Sequence, residues 1–134
     1  MPRLHVLAVS ARPPAWAESA CAEYARRMPR GYEVARLEVK PARLAAALPR
    51  GARVVALDER GKDYTTEQFA KLLGAETAFV IGGADGLPDA FKRGADLLLR
   101  LSSLTLPHAL AQVVLLEQIY RAATLLTGHP YHRS

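Results

Sequence analysis

Three short segments have the composition of ligand-binding loops. The segment 57–62 (LDERGK) is charged, and 81–87 (IGGADGL) has three glycines in five residues, which suits a loop whose backbone approaches a ligand closely. The segment 101–108 (LSSLTLPH) places small hydroxyl residues between leucines, so it can enclose an apolar ligand while offering backbone hydrogen bonds. Taken singly, each segment also has a structural interpretation. The first is typical of a charged surface turn, the second is as compatible with a simple tight turn, and the third is typical of a loop that packs its leucines into the core and caps the next helix.

The C-terminal segment 128–134 (GHPYHRS) combines aromatic, imidazole and guanidinium groups. Tyrosine or histidine can stack on a nucleic-acid base and arginine can hold a phosphate, although a frayed terminus has the same composition. The histidines His108, His129 and His132 lack acidic or cysteine partners at metal-ligand spacing. We therefore expect no metal site.

Strands and helices alternate along the chain, which predicts an α/β fold with a mostly parallel sheet and flanking helices. Ligands bind such sheets at the carboxyl ends of the strands, where the three segments above are expected. The predicted strands are 4–9, 32–39, 53–57, 77–81 and 97–101, and the predicted helices are 15–28, 41–48, 65–73, 88–93 and 107–126.

Two of these helices have informative apolar patterns. On the first, Trp16, Cys21 and Tyr24 share one half of the helical wheel, which predicts that this half is buried. The last helix is apolar on both sides, because Leu110 and Val114 lie opposite its main apolar face. Such a helix needs two partners, and we expect them to be its own sheet and a second subunit.

The bulk composition predicts a soluble protein with one domain spanning 1–134. Half of the 134 residues are hydrophobic, 23% are charged, and no uninterrupted apolar run reaches the roughly 18 residues that cross a membrane. The single cysteine excludes an internal disulfide, and we expect a cytoplasmic location without membrane association. The net charge of +5 permits binding to a polyanion.

Four motifs, taken in order, carry a resemblance to a known family: 81–87 (IGGADGL), 101–108 (LSSLTLPH), 115–122 (LLEQIYRA) and 129–133 (HPYHR). The segments LAVS, EYARRMP and VVALDERGK extend it over almost the whole chain. The sequence resembles the bacterial 23S rRNA pseudouridine N3-methyltransferases of the SPOUT (α/β-knot) superfamily. That resemblance implies a C-terminal trefoil knot, an exception to the usual absence of knots.

The resemblance also implies a cofactor, S-adenosyl-L-methionine, held by the knot loops. Carried onto this chain, the cofactor-binding residues are Leu57, Gly82, Leu101, Ser102, Ser103, Leu104, Thr105 and Leu106. Gly82 would let the cofactor lie against the backbone. The family pattern further implies a homodimer in which the tail of one subunit completes the cofactor site of the other.

The implied substrate is a pseudouridine of 23S rRNA within the ribosome. Arg121, Tyr131, His132 and Arg133 are the residues expected to bind or activate the target base and its phosphates, with His132 as the candidate base for the N3 proton. Two alternatives stay open at this point. In the first, the chain is a SPOUT methyltransferase that acts on another RNA such as tRNA. In the second, it is a non-catalytic relative that binds ribosomes.

This chain departs from the family pattern in two places. The region between the second predicted strand and Leu57 is shortened, which bears on how the protein docks on the ribosome. Ser10-Ala11-Arg12 stands where the family often has a glycine followed by a basic residue.

Overall fold

The computed structural model describes residues 3–10 and 12–133, with the backbone alone at residue 133. Five strands alternate with helices, as the sequence predicts. The strands are β1 (Leu4–Val9), β2 (Val34–Val39), β3 (Arg53–Asp63), β4 (Thr77–Gly82) and β5 (Leu97–Arg100). The α-helices are α1 (Ala15–Arg26), α2 (Leu44–Ala47), α3 (Thr66–Leu72), α4 (Asp89–Gly94) and α5 (His108–Thr127), with 3-10 turns at Pro41–Arg43 and Pro130–Arg133.

The five strands form one sheet in the order β2-β1-β4-β3-β5, and every neighbouring pair is parallel. This confirms the predicted α/β class. Successive side chains of a strand point to opposite faces, so Phe79 packs in the core under α1, α3 and α5, while Val80 packs against Leu44 and Leu87 on the other face. The strand order leaves the predicted trefoil knot untested.

Strand β3 is longer than predicted and makes an excursion at its centre. Leu57 and Lys62 both pair with Leu99 of β5, so the four residues between them form extra chain on one side of the ladder. A Cβ atom on Gly61 would lie 2.7 Å from the backbone of Leu99. The predicted end at Leu57 was wrong because pairing with β5 keeps this charged run extended.

Helix α5 buries one face along its whole length. Leu115, Leu116 and Ile119 are fully buried, whereas Leu110 and Leu126 are exposed. By length and composition alone this helix would be able to span a membrane, and half of its apolar stretch is buried inside the fold. Gly128 ends the helix in the left-handed conformation, with φ of 76°.

Helix α1 packs on α5. The prediction that one half of its surface is buried is only partly correct. Ala17 and Cys21 are buried, whereas Trp16 is 58% exposed. A helical wheel predicts which residues share a face. It does not show how far the neighbouring element extends along that face.

Candidate active site

A cleft of about 600 Å³ lies at the carboxyl edge of the sheet, within the range of small-molecule sites. It is bounded by the β3 excursion, the loop after β4, the loop after β5 and the start of α5. The lining residues are Leu57, Asp58, Glu59, Ile81, Gly82, Gly83, Ala84, Asp85, Gly86, Leu87, Lys92, Leu99, Arg100, Leu101, Ser102, Leu104, Thr105, Leu106, Pro107, His108 and Ala111. The three segments that the sequence singled out therefore converge here.

Most of the predicted cofactor residues line this cleft. They are Leu57, Gly82, Leu101, Ser102, Leu104, Thr105 and Leu106. Ser103 is exposed and is not among the residues that line it. The Ser102 hydroxyl accepts a hydrogen bond from the backbone N–H of Leu104 at 2.9 Å, a local turn that shapes the loop.

The two glycines after β4 are required by packing within the chain. A Cβ atom on Gly82 would lie 2.7 Å from the carbonyl carbon of Gly86, and one on Gly83 would lie 2.7 Å from the carbonyl oxygen of Ser10. The loop thus folds tightly onto itself and onto the end of β1. Gly82 has a structural reason to lack a side chain that is separate from any ligand.

The cleft contains a charge pair that the sequence reasoning did not identify as part of a site. Lys92 of α4 places its ammonium nitrogen 3.5 Å from Oδ1 of Asp58, and also 3.5 Å from Oδ1 of Asp89. The side chains of Asp58 and Lys92 are only 14% and 22% exposed. Asp58 belongs to the charged segment 57–62, but no local signal links it to Lys92, because α4 reaches the cleft only through the fold.

The C-terminal residues pack against α5. The Tyr131 hydroxyl donates a hydrogen bond to Oε2 of Glu117 at 2.9 Å, and the Arg121 guanidinium donates to the same oxygen at 2.8 Å. That guanidinium also lies 5.1 Å from the centre of the Tyr131 ring, whose edge packs on Tyr120 with centroids 4.6 Å apart. We call Glu117, Arg121 and Tyr131 the tail cluster.

The tail cluster keeps Tyr131 in its neutral, hydrogen-bond-donating form. Burial raises the pKa of Tyr131 well above its ordinary value, and hydrogen bonds with Tyr24 and Glu117 add to the effect. The hydrogen bond to Glu117 also raises the pKa of Arg121. Both groups therefore act as hydrogen-bond donors over the working pH range.

His132 follows Tyr131 in the final 3-10 turn. Its Nδ1 atom is buried, and no hydrogen-bond partner reaches it from the part of the chain that the structure describes. Buried polar atoms normally have partners, so this nitrogen has an unused hydrogen-bonding capacity. The side chain of Arg133, the fourth predicted catalytic residue, lies outside the described portion.

The predicted cofactor and catalytic residues occupy two separate places in one chain. The last cleft-lining residue is Ala111, early in α5. Arg121 lies ten residues further along that helix, about 15 Å at 1.5 Å per residue. The tail cluster is therefore remote from the cleft of its own chain.

Two other features of the described residues bear on where a ligand or a metal could bind. A shallow depression of about 610 Å³ lies at the amino edge of the sheet, beside Arg53, Glu76 and Asp96, opposite the edge at which parallel sheets bind ligands. Within 3–10 and 12–133, no group of three His, Cys, Asp or Glu side chains is placed to hold a metal ion. That no metal is needed stays a prediction.

Comparison with known proteins gives full-length matches. A family described as "Predicted SPOUT methyltransferase" matches residues 2–132. The chain is 47% identical to ribosomal RNA large subunit methyltransferase H of Janthinobacterium sp. (strain Marseille), covering 98% of this chain and 99% of that protein. It is 48% identical to the protein of the same name from Burkholderia mallei (strain SAVP1), with the same coverage.

These relatives are longer than this chain, since the alignment with the Janthinobacterium protein spans 154 positions. Among solved structures, the fold is similar to the A. aeolicus TrmH/SpoU tRNA modifying enzyme, with a TM-score of 0.62 and 15% identity. That match covers 96% of this chain and 79% of the other.

Proposed function

The chain belongs to the SPOUT methyltransferase family, and on this premise we propose that it methylates N3 of a pseudouridine in 23S rRNA of the large ribosomal subunit. The observation that carries the proposal is the identity of 47–48%, over almost the entire chain, to proteins named for methylation of large-subunit rRNA. Ribosomes are the expected partner, and the cytoplasm is the expected location. The net charge of +5 favours an RNA substrate.

The cofactor is S-adenosylmethionine, and the cleft has the chemistry to hold it. Its walls combine leucine side chains with loops rich in glycine and serine, which offer apolar surface and backbone hydrogen bonds together. Leu57, Gly82 and the loop 101–106 are the residues proposed to hold the nucleoside. When bound, S-adenosylmethionine supplies an electrophilic methyl group on its sulfonium.

The tail supplies the groups proposed to act on the nucleotide. The N3 imino proton must leave as the new nitrogen–carbon bond forms, and His132 is proposed to accept it. Tyr131 and Arg121, held as donors by Glu117, are proposed to orient the base, and Arg133 to bind phosphate. This division of labour assigns binding of the methyl donor to the cleft and binding of the acceptor to the tail.

We further propose that the active unit is a homodimer, with the trefoil knot of its family in each subunit. The separation between the cleft and the tail cluster supports this arrangement, because a second copy can bring its tail to the first copy's cleft. The exposed Leu110 and Leu126 of α5 give such a dimer apolar contact surface.

Nucleotide-resolution mapping of modified residues tests the proposed function. RNA from a strain lacking the gene should lose one methylated pseudouridine in 23S rRNA, and the purified protein with S-adenosylmethionine should restore it on ribosomes. Loss of a methyl group from tRNA instead would assign a different substrate. Unchanged modification in both RNA pools, together with co-sedimentation with ribosomes, would identify a non-catalytic relative.

Mixing two inactive variants tests the shared site. Thr105→Trp fills the cleft from its exposed rim, and His132→Ala removes the proposed base. If each site combines one cleft with the partner's tail, co-refolded variants should recover about a quarter of the wild-type activity, since half of the dimers have one intact site of two. No recovery in a mixture shown to contain heterodimers would contradict the shared site.

A further inference from the structure

We propose that the carboxylate of Asp58 recognises the ribose hydroxyls of the cofactor. The inference rests on the proposed function, because it assumes that S-adenosylmethionine occupies the cleft. It adds a side chain to a site whose other candidate contacts are backbone groups and apolar surface.

The first observation is that Asp58 is largely enclosed yet poorly satisfied. Its side chain is 14% exposed, and its only polar contact within the described part of the chain is the Lys92 ammonium at 3.5 Å. A carboxylate has about four lone-pair sites, and those of enclosed carboxylates are normally occupied. Because Asp58 lines the cleft, a ligand bound there can reach the acceptor sites that Lys92 leaves open.

The second observation concerns the charge beside that carboxylate. Lys92 lies between Asp58 and Asp89, with 3.5 Å to each. Water screens the carboxylate of Asp89, which is 84% exposed, so the Lys92 ammonium acts mainly on the enclosed Asp58 and would repel a second ammonium at the same oxygens. Neutral donors are therefore favoured there, and the vicinal ribose hydroxyls form a pair of neutral donors that matches the two oxygens of a carboxylate.

Neighbouring charged groups do not offer the same capacity. Arg100 also lines the cleft, but it makes a bidentate pair with Asp63, with distances of 2.7 and 2.6 Å. Glu59 follows Asp58 and is exposed, so water satisfies it. Asp58 is thus the carboxylate that combines enclosure with free acceptor sites.

Calorimetry with two ligands tests the assignment. S-adenosylhomocysteine has both the ribose diol and an amino-acid ammonium, whereas 5′-methylthioadenosine keeps the diol and lacks the ammonium. Asp58→Asn and Asp58→Ala should weaken both ligands by a similar factor, about 10- to 100-fold, as expected for hydrogen bonds to a charged acceptor. Glu67→Gln, at an exposed glutamate of α3 outside the cleft, is the control and should bind both ligands as the wild type does.

The outcomes separate this inference from the proposed function. Selective weakening of S-adenosylhomocysteine would assign Asp58 to the ammonium and overturn the proposal. Unchanged affinity of both ligands in Asp58→Ala, with a wild-type melting temperature, would overturn it as well. If Asp58→Ala is unstable, the test uses Asp58→Asn, which preserves the shape of the side chain. Its affinities for S-adenosylhomocysteine and 5′-methylthioadenosine are then compared in the same way. A wild-type protein that binds neither ligand would refute the cofactor assignment itself.

Discussion

The hydroxyl of Tyr131 donates a hydrogen bond to Oε2 of Glu117 at 2.9 Å, joining the last turn of the chain to the middle of α5. Arg121 shares that acceptor oxygen and covers the Tyr131 ring. Glu117 therefore determines where the two donors of the tail cluster lie. The sequence reasoning named Arg121 and Tyr131 but not Glu117, although Glu117 stands in the motif LLEQIYRA.

Replacing Glu117 by alanine is expected to impair turnover while sparing the cofactor site. The change removes the acceptor shared by Arg121 and Tyr131, and misplaced catalytic groups lower rates by about 10- to 100-fold. Affinity for S-adenosylhomocysteine should stay within about twofold of the wild type, because the proposed cofactor contacts are those of the cleft and Glu117 is not among its lining residues. Methyl transfer to ribosomes and calorimetry measure the two effects.

The control for this variant is Glu67→Ala, which removes an exposed glutamate from α3. It should leave turnover and cofactor affinity unchanged. Full activity in a folded Glu117→Ala protein would show that the tail cluster does not position groups for the reaction.

The raised pKa of Tyr131 predicts a loss of stability at alkaline pH. An unfolded chain ionises this tyrosine near its ordinary pKa of 10.0, whereas the folded protein keeps it protonated because of burial and its hydrogen bonds. The unfolded state then binds fewer protons, so the contribution of Tyr131 is complete below about pH 10 and is lost as the pH rises above it.

Urea unfolding measures this effect. Between about pH 9 and pH 11, the free energy of unfolding should fall more steeply for the wild type than for Tyr131→Phe. Absorbance titration of the same pair should show one more late-ionising tyrosine in the wild type than in Tyr131→Phe. Equal slopes for the two proteins would mean that Tyr131 titrates normally.

Gly61→Ala is expected to destabilise the fold by about 1–3 kcal/mol, the range of overpacking substitutions. Its Cβ atom would lie 2.7 Å from backbone atoms of Leu99, and backbone cannot move aside as a flexible side chain does. Gly94→Ala is the matched control, since its Cβ atom would meet nothing within 4 Å. If thermal unfolding gives the two variants the same melting temperature, the close approach of β3 and β5 at Gly61 is refuted.

Ser10→Gly is expected to stabilise the protein by up to about 1 kcal/mol. Ser10 has φ of 53°, a left-handed conformation that costs a residue with a Cβ about 1–2 kcal/mol, while glycine loses part of that gain through its greater freedom when unfolded. Ser10→Ala keeps the unfavourable conformation and serves as the control. The prediction fails if denaturant unfolding finds Ser10→Gly less stable than Ser10→Ala.

The same position explains one departure of this chain from the family pattern. At the position after β1 where the resemblance predicts glycine, the backbone of this protein turns through the left-handed region, with serine in place of glycine. The carbonyl of Ser10 also contacts the glycine loop after β4. The packing of the end of β1 against the loop after β4 therefore sets the conformation of this turn. The residue found there, serine, is not the type that this conformation favours.

The sequence by itself determined the elements whose limits are local. β1 spans Leu4–Val9 as predicted, because apolar β-prone residues are bounded there by residues that end strands. α3 starts after Thr65, whose side chain caps it in a capping box with Gln68. Parallel pairing then brings the three predicted loops to one edge, so the cleft was predictable from the order of the elements.

Only the tertiary structure decided which distant groups meet. The continuation of β3 past Leu57 depends on its pairing with β5, and the contact of Asp58 with Lys92 depends on where α4 docks. The hydrogen bond from Tyr131 to Glu117 joins residues that local propensity does not connect. Such contacts arise from packing between elements, and their geometry is set by side chains and backbones far apart along the chain.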